Sequence, residues 1–272
     1  MALPLGQTFS KFFADRGTHL AAMVAYFALA SFVPLVFLSL ALLGLFGRAD
    51  ESSFLVTELV KIFPSASIEQ TARAVRTVQD NARTLGIVGA AFLLWSSMSL
   101  FSALESAFNI VYELPNRPFL RGKALALMFM LGLLVVLFVG LIAATFGIGL
   151  AERHVPGVVA NTWVAIGLSL LVAGGAVFLF LFVAYFRLTN ARLSPREALP
   201  GALLGTTVLL VTFQFLPLFT RLAGDVVSLK VLGTGALLIV WLYVLANVIV
   251  FGAELNWQLA YGRRGISAVP KR

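Results

Sequence analysis

The 272-residue chain has no cysteine and only two histidines, His19 and His154. Disulfides, thiolate nucleophiles and cysteine-based metal sites are thereby excluded, and little is left for histidine-based zinc chemistry. Charge is scarce too: 12% of residues are Asp, Glu, Lys or Arg, where a soluble domain has about 25%. Neither a carboxylate cluster at metal-binding spacing nor a nucleophile motif stands near either histidine. His154, beside Val155-Pro156-Gly157, reads as a surface-turn residue. No enzyme, metal or cofactor is expected.

Apolar residues are abundant, at 60% of the chain. A helix needs about 20 predominantly apolar residues to cross the hydrocarbon layer. Six uncharged runs qualify: Leu20–Gly47, Leu85–Leu104, Ala124–Ala151, Val155–Phe186, Ala198–Thr220 and Val231–Ala253. None shows the strict alternation of a barrel strand, and all exceed the roughly ten residues such a strand needs. The expected fold is an all-α polytopic membrane protein with six transmembrane helices, forming a single membrane domain over 1–272. The first run is too long for a signal peptide, so it reads as a retained anchor.

The net charge of +8 follows from topology. Twelve basic residues, among them Lys11, Arg16, Arg117, Arg121, Lys123, Arg187, Arg192 and Arg196, fall in alternate connections and the two tails. The positive-inside bias then puts both termini in the cytoplasm. No interleaved basic and aromatic platform accompanies the charge, so nucleic acid is not an expected partner. Membrane lipids are, and a homo-oligomer is compatible with the sequence.

Residues 1–19 set Phe9, Phe12 and Phe13 beside Lys11 and Arg16, a mixture suited to a helix in the headgroup layer, with a flexible tail as the alternative. Residues 48–84, divided by Pro64, carry apolar residues at helical spacing and predict a short amphipathic helical pair on the outer side, a candidate lid or passive cover. Residues 258–272 form a basic cytoplasmic tail. Pro34 in the first span and Pro217 in the fifth are candidate helix breaks. Gly201 and Gly205 make a small-xxx-small step for close helix packing. After the fourth span, Ser194 is placed to cap the next helix, with Pro195 at its first position.

Only two of the twelve acidic residues, Glu105 and Glu254, fall within the helices. An ionisable group there costs about 2.5–3.5 kcal/mol at the centre of a span and calls for a partner. Each glutamate approaches the C-terminal, negative end of its helix, which adds to that need. Arg187, Arg121, Lys123 and Arg192 are the candidate ion-pair partners, with a helix-end hydrogen-bond donor as the alternative. Asn109 near Glu105, and Asn256 and Asn247 near Glu254, are amides that can hydrogen-bond between helices. Glu105, Asn109, Glu254 and Asn256 are therefore the candidate substrate- or proton-binding residues in the inner half of the bundle. A buried ion pair that only holds the helices together is the competing reading.

Three stretches carry a family resemblance: Ala25-Tyr-Phe-Ala-Leu-Ala-Ser-Phe-Val-Pro-Leu, the Leu-Trp-Ser-Ser…Leu-Glu-Ser-Ala-Phe-Asn-Ile-Val-Tyr run from Leu94, and Trp241-Leu-Tyr…Phe-Gly-Ala-Glu-Leu-Asn. In this order they resemble the YihY/virulence factor BrkB family over roughly residues 10–260. The resemblance implies a bacterial inner-membrane protein with six spans. It implies no settled activity, since a former ribonuclease BN label is generally regarded as misassigned, and serum resistance and envelope or lipid export have been suggested. A transporter or flippase, an envelope-assembly scaffold and, more remotely, a membrane-bound nuclease are the functions carried forward.

Overall fold

The computed structural model describes residues 5–45, 82–132, 162–216 and 234–262, with residues 268 and 270. The described chain is helical, apart from short connections and an isolated antiparallel bridge between Ala191 and Pro270. Its elements are α1 (Leu5–Ala14), α2 (Gly17–Leu45), α3 (Ala82–Val111), a helical segment at 119–132, α4 (Thr162–Val183) running into a π-helical turn (Ala184–Leu188), α5 (Pro195–Gln214) and α6 (Thr234–Ala260).

Three stretches are long and apolar enough to cross a membrane, Leu170–Leu188, Pro195–Gln214 and Leu237–Ala260, while Gly17–Ser31 and Met98–Val111 are shorter apolar helices. These stretches leave large apolar side chains uncovered, with Leu171 75% and Leu203 57% exposed. Such surface suits hydrocarbon rather than water. The expected pair at 48–84, His154, Pro217 and most of the basic tail lie outside the described residues. Pro34 does not end its helix, for α2 continues to Leu45. Three residues before it, the Ser31 hydroxyl donates back to the Phe27 carbonyl at 2.9 Å, a back-bond of the kind that often bends a helix.

The contacts divide the chain into two units. One comprises Met1–Gly17, Leu104–Leu210 and Val248–Arg272; the other comprises Thr18–Ala103 and Val211–Asn247. In the second unit Ala21, Ala25 and Phe101 are buried, and Phe213 meets Trp241 edge to face with centroids 6.2 Å apart. In the first, Phe108, Val111, Leu181, Tyr185, Leu188, Val250 and Leu255 form the core. All four candidate binding residues lie in that first unit.

Local chemistry sets the helix ends there. Helix α3 stops in a Schellman motif: the Leu114 N–H donates to the Asn109 carbonyl at 2.8 Å, the Glu113 N–H to Ile110 at 3.0 Å, and Glu113 has φ 57°. That left-handed position normally takes glycine, and Pro115 follows. Glu113→Gly should therefore raise stability by about 1 kcal/mol, read as a higher melting temperature in detergent. A lower one would mean that the Glu113 carboxylate makes a contact worth more than the strain. At the start of α5 the Glu197 carboxylate accepts the Ser194 N–H at 2.8 Å, the reciprocal half of a capping box, with Pro195 at the first helical position as expected.

Candidate functional site

The first unit resolves into three polar assemblies, each built where a helix leaves backbone groups without partners. The largest centres on Glu105, whose side chain is 6% exposed. Its Oε1 accepts from the Arg117 guanidinium at 2.9 Å and from the Arg117 backbone N–H at 3.4 Å, while its other oxygen faces Gly122. Arg117 also donates to the carbonyls of Leu188, Arg187 (2.9 Å) and Thr189 (3.0 Å). These carbonyls lie at the end of the π-helical turn, where the ladder has no further donors. Each terminal nitrogen of a guanidinium carries two N–H groups, and here each nitrogen serves two acceptors. One side chain thus neutralises a buried carboxylate and closes the end of the π-helical turn.

An amide chain flanks this clip. The Asn109 Oδ1 accepts the Asn190 N–H at 2.7 Å, and its amide donates to Asn116 at 3.0 Å. Asn116 donates to the Ser106 hydroxyl, and Asn190 to the Pro115 carbonyl. Asn109 is fully buried and uses its donor and acceptor sides on different segments, so it fixes the connection after α3 against the one after the π turn.

The second assembly surrounds Glu254, whose side chain is completely buried. Lys11 from α1 approaches its Oε2 at 3.4 Å, and neither carboxylate oxygen has a hydrogen-bond partner. The Lys11 ammonium donates to the Val111 carbonyl at 2.9 Å, pairs with Asp15 one turn on, and lies 4.2 Å from the centre of the Trp257 ring. Asp15 also acts electrostatically on Glu254. Helix α1 is held on α6 by Phe9 and Phe12 against Phe251 and by the Gln258 amide donating to Gln7 at 2.9 Å. The segment expected in the headgroup layer does form a helix, with Thr8 and Phe12 buried and Phe9 and Phe13 exposed.

The third assembly joins α5 and α6. Pro200 lies inside α5 and supplies no backbone N–H. Beside it, the Gly201 N–H donates to the Asn256 Oδ1 at 2.6 Å, and the Asn256 amide donates to the Ala198 carbonyl at 3.3 Å. The Asn256 side chain is thus hydrogen-bonded into the backbone of α5. The approach requires glycine, for a Cβ on Gly201 would run into the Gly252 carbonyl and the Asn256 amide. The Tyr185 hydroxyl, against Gly252, donates to the Ile249 carbonyl at 2.8 Å.

The glutamates therefore do not take the cations expected of them. Their partners are Arg117 and Lys11. Arg187 joins the first assembly through its carbonyl, while its guanidinium lies over Phe186. Lys123 sits over Phe119, and Arg192 accepts from the Tyr261 hydroxyl through its carbonyl; Arg121, on the helical segment 119–132, makes no ion pair among the described residues. For Arg187 the physical reason is reach: its guanidinium lies over Phe186 on its own last turn, whereas Arg117, coming from the connection after α3, meets the Glu105 carboxylate and the carbonyls of the π turn together. Asn109 and Asn256 do bridge segments, though neither bonds a glutamate, and Asn247 donates to the Tyr243 carbonyl of its own helix at 2.7 Å. Lys11, Asp15, Arg117, Asn190, Trp257 and Pro200 were not singled out by sequence as site residues. For Lys11 the legible signal was a lone lysine on the aromatic face of a short helix.

Among known proteins, the chain is 26% identical over 259 residues to a UPF0761 membrane protein of Pseudomonas paraeruginosa, covering 93% of this chain and 62% of that protein. It is 25% identical over 264 residues to the ribonuclease-like protein YfkH of Bacillus subtilis, covering 93% of both, and 27% identical over 253 residues to a UPF0761 membrane protein of Pseudoalteromonas translucida, covering 89% and 81%. The chain thus spans less than two thirds of the Pseudomonas relatives' length. No solved structure matches it. The virulence factor BrkB family model matches residues 8–271, which takes in all three polar assemblies, and the chain is a membrane protein belonging to that family.

Proposed function

We propose that the protein is a transporter or flippase for a lipid-like or other envelope-related substrate, set in a bacterial inner membrane with six spans and both termini in the cytoplasm. Glu254 is the observation that carries the reading. A carboxylate with no exposure, a 3.4 Å ion pair and no hydrogen bond to either oxygen is poorly compensated, and burying such a group is expensive. A site that must take up and release a charged partner needs that incompleteness. Glu105 has the opposite character, since Arg117 satisfies it closely and spends its remaining donors on carbonyls, so its role is to hold the bundle. The pair of acids thus divides into one structural and one functional member. Polar groups on broken or irregular helices recur where membrane transporters bind their substrates, and the π turn and Pro200 supply such irregularity here.

The test is purified protein in liposomes containing a fluorescent phospholipid, with translocation read by external quenching. The wild type should move lipid faster than empty vesicles. Glu254→Gln, isosteric and uncharged, should slow it at least about tenfold, a loss of some 1.4 kcal/mol of barrier lowering, with its melting temperature retained. Wild-type vesicles no faster than empty ones, across anionic and zwitterionic probes, would instead support an envelope-assembly scaffold. RNA hydrolysis by the purified wild type, lost in Glu254→Gln, would revive the nuclease reading.

A further inference from the structure

Four groups converge on the Lys11 ammonium: the Glu254 carboxylate at 3.4 Å, the Asp15 carboxylate, the Val111 carbonyl at 2.9 Å and the Trp257 ring at 4.2 Å. Two carboxylates, a carbonyl and an aromatic face around one cation are more than a single lysine needs. Carboxylate, carbonyl and indole together make the kind of cage that recognises an ammonium ion. The Val111 carbonyl and the two Glu254 oxygens, which have no hydrogen-bond partner, are acceptors available to the three N–H donors of a primary ammonium; a quaternary one has none to offer.

The occupant is carried on a separate short helix. α1 is ten residues long and joins α2 through Arg16 at φ 55° and Gly17. Besides Lys11, two aromatic contacts and an amide bond tie it to α6, while Leu5, Phe9 and Phe13 remain exposed. An isolated helix this short has little stability of its own. If the ammonium leaves the cage, α1 therefore loses a buried charged contact with the rest of its unit.

We propose that this cage is a binding site for a primary ammonium group, and that Lys11 is a tethered occupant which such a ligand displaces. The chemistry fits the headgroup of an aminophospholipid or a small soluble amine. Its link to translocation rests on the transport reading above, whereas its ligand chemistry does not. Displacement would free α1, and Asp15 with it, and leave the ligand against Glu254, the Val111 carbonyl and the Trp257 ring, so Lys11 keeps the site closed when no ligand is present.

Chemical rescue tests the site. Lys11→Ala should melt lower than the wild type in detergent. Ethylammonium should then raise its melting temperature by more than about 3 °C, tetramethylammonium should not, and Lys11→Ala/Glu254→Gln should not respond. Absence of rescue in Lys11→Ala, or equal rescue in the double variant, overturns the proposal. Should Lys11→Ala not fold, the wild type answers alone: hydrogen exchange across residues 5–14 should accelerate at least threefold with ethylammonium or phosphatidylethanolamine and not with tetramethylammonium or phosphatidylcholine. Unchanged exchange with every ligand overturns the site. The same measurement in nanodiscs separates the two sources. Acceleration by phosphatidylethanolamine over phosphatidylcholine identifies a lipid headgroup, and acceleration by ethylammonium alone identifies a soluble amine. Rescue or displacement without lipid translocation keeps the site and removes the transport reading; translocation without either removes the site.

Discussion

Replacing Arg117 by methionine should cost about 3–5 kcal/mol of stability, the usual consequence of removing one partner from a buried ion pair. Glu105 would be left 6% exposed with no cation, and the carbonyls of Arg187, Leu188 and Thr189 would lose the donors that close the π turn. Arg117→Lys should recover less than half of the loss, because an ammonium offers three donors from one point, whereas the guanidinium distributes its donors over two nitrogens in a plane. A double variant with Glu105→Met removes the stranded charge and should recover part of what Arg117→Met loses. Thermal unfolding of the wild type, Arg117→Met, Glu105→Met and the double variant in one detergent makes a double-mutant cycle. Near-additive losses would show that the two residues do not act as a unit, and the structural assignment of Glu105 would fall with that result.

The second large effect has a sign that local propensity and packing predict oppositely. Exchanging a helix-interior glycine for alanine favours the helix by about 1 kcal/mol, so Gly201→Ala on helical grounds alone should stabilise α5. The structure reverses this. A Cβ at Gly201 would press on the Gly252 carbonyl and lie 2.6 Å from the Asn256 Nδ2, so α5 and α6 must separate or Asn256 must withdraw. Overpacking of this kind costs about 1–3 kcal/mol, and losing the Asn256 bonds adds to it. Gly175→Ala is the matched control: it too lies within a helix, α4, and nothing stands within 4 Å of its Cβ position. Melting temperatures should fall for Gly201→Ala and hold or rise for Gly175→Ala. A rise in both would mean that the two helices do not meet at Gly201.

Part of the site was legible because a bilayer simplifies the reading of charge. Where hydrocarbon excludes ions, any acid inside an apolar run is conspicuous, and Glu105 and Glu254 were found on that ground alone. The amides at Asn109 and Asn256 were found from their place beside those two acids. Pairing was not legible, because proximity along the chain is a poor guide to which cation reaches a helix end. Arg117 lies twelve residues from Glu105, past a Schellman turn and a proline that bring the chain back. Lys11 reaches Glu254 from near the opposite end of the sequence.

Composition and spacing alone determined that this is a helical membrane protein, where apolar runs must lie, where Ser194 and Pro195 begin a helix, and which two acids need compensation, since each of these follows from local chemistry or from the cost of burying polar groups. Only the tertiary structure decided that Arg117 completes Glu105 while Lys11 leaves Glu254 incomplete, that Asn256 mends the backbone beside Pro200, and that Gly201 is a contact point. Those outcomes depend on which segments converge, and convergence is set by the packing of the whole unit rather than by any one helix.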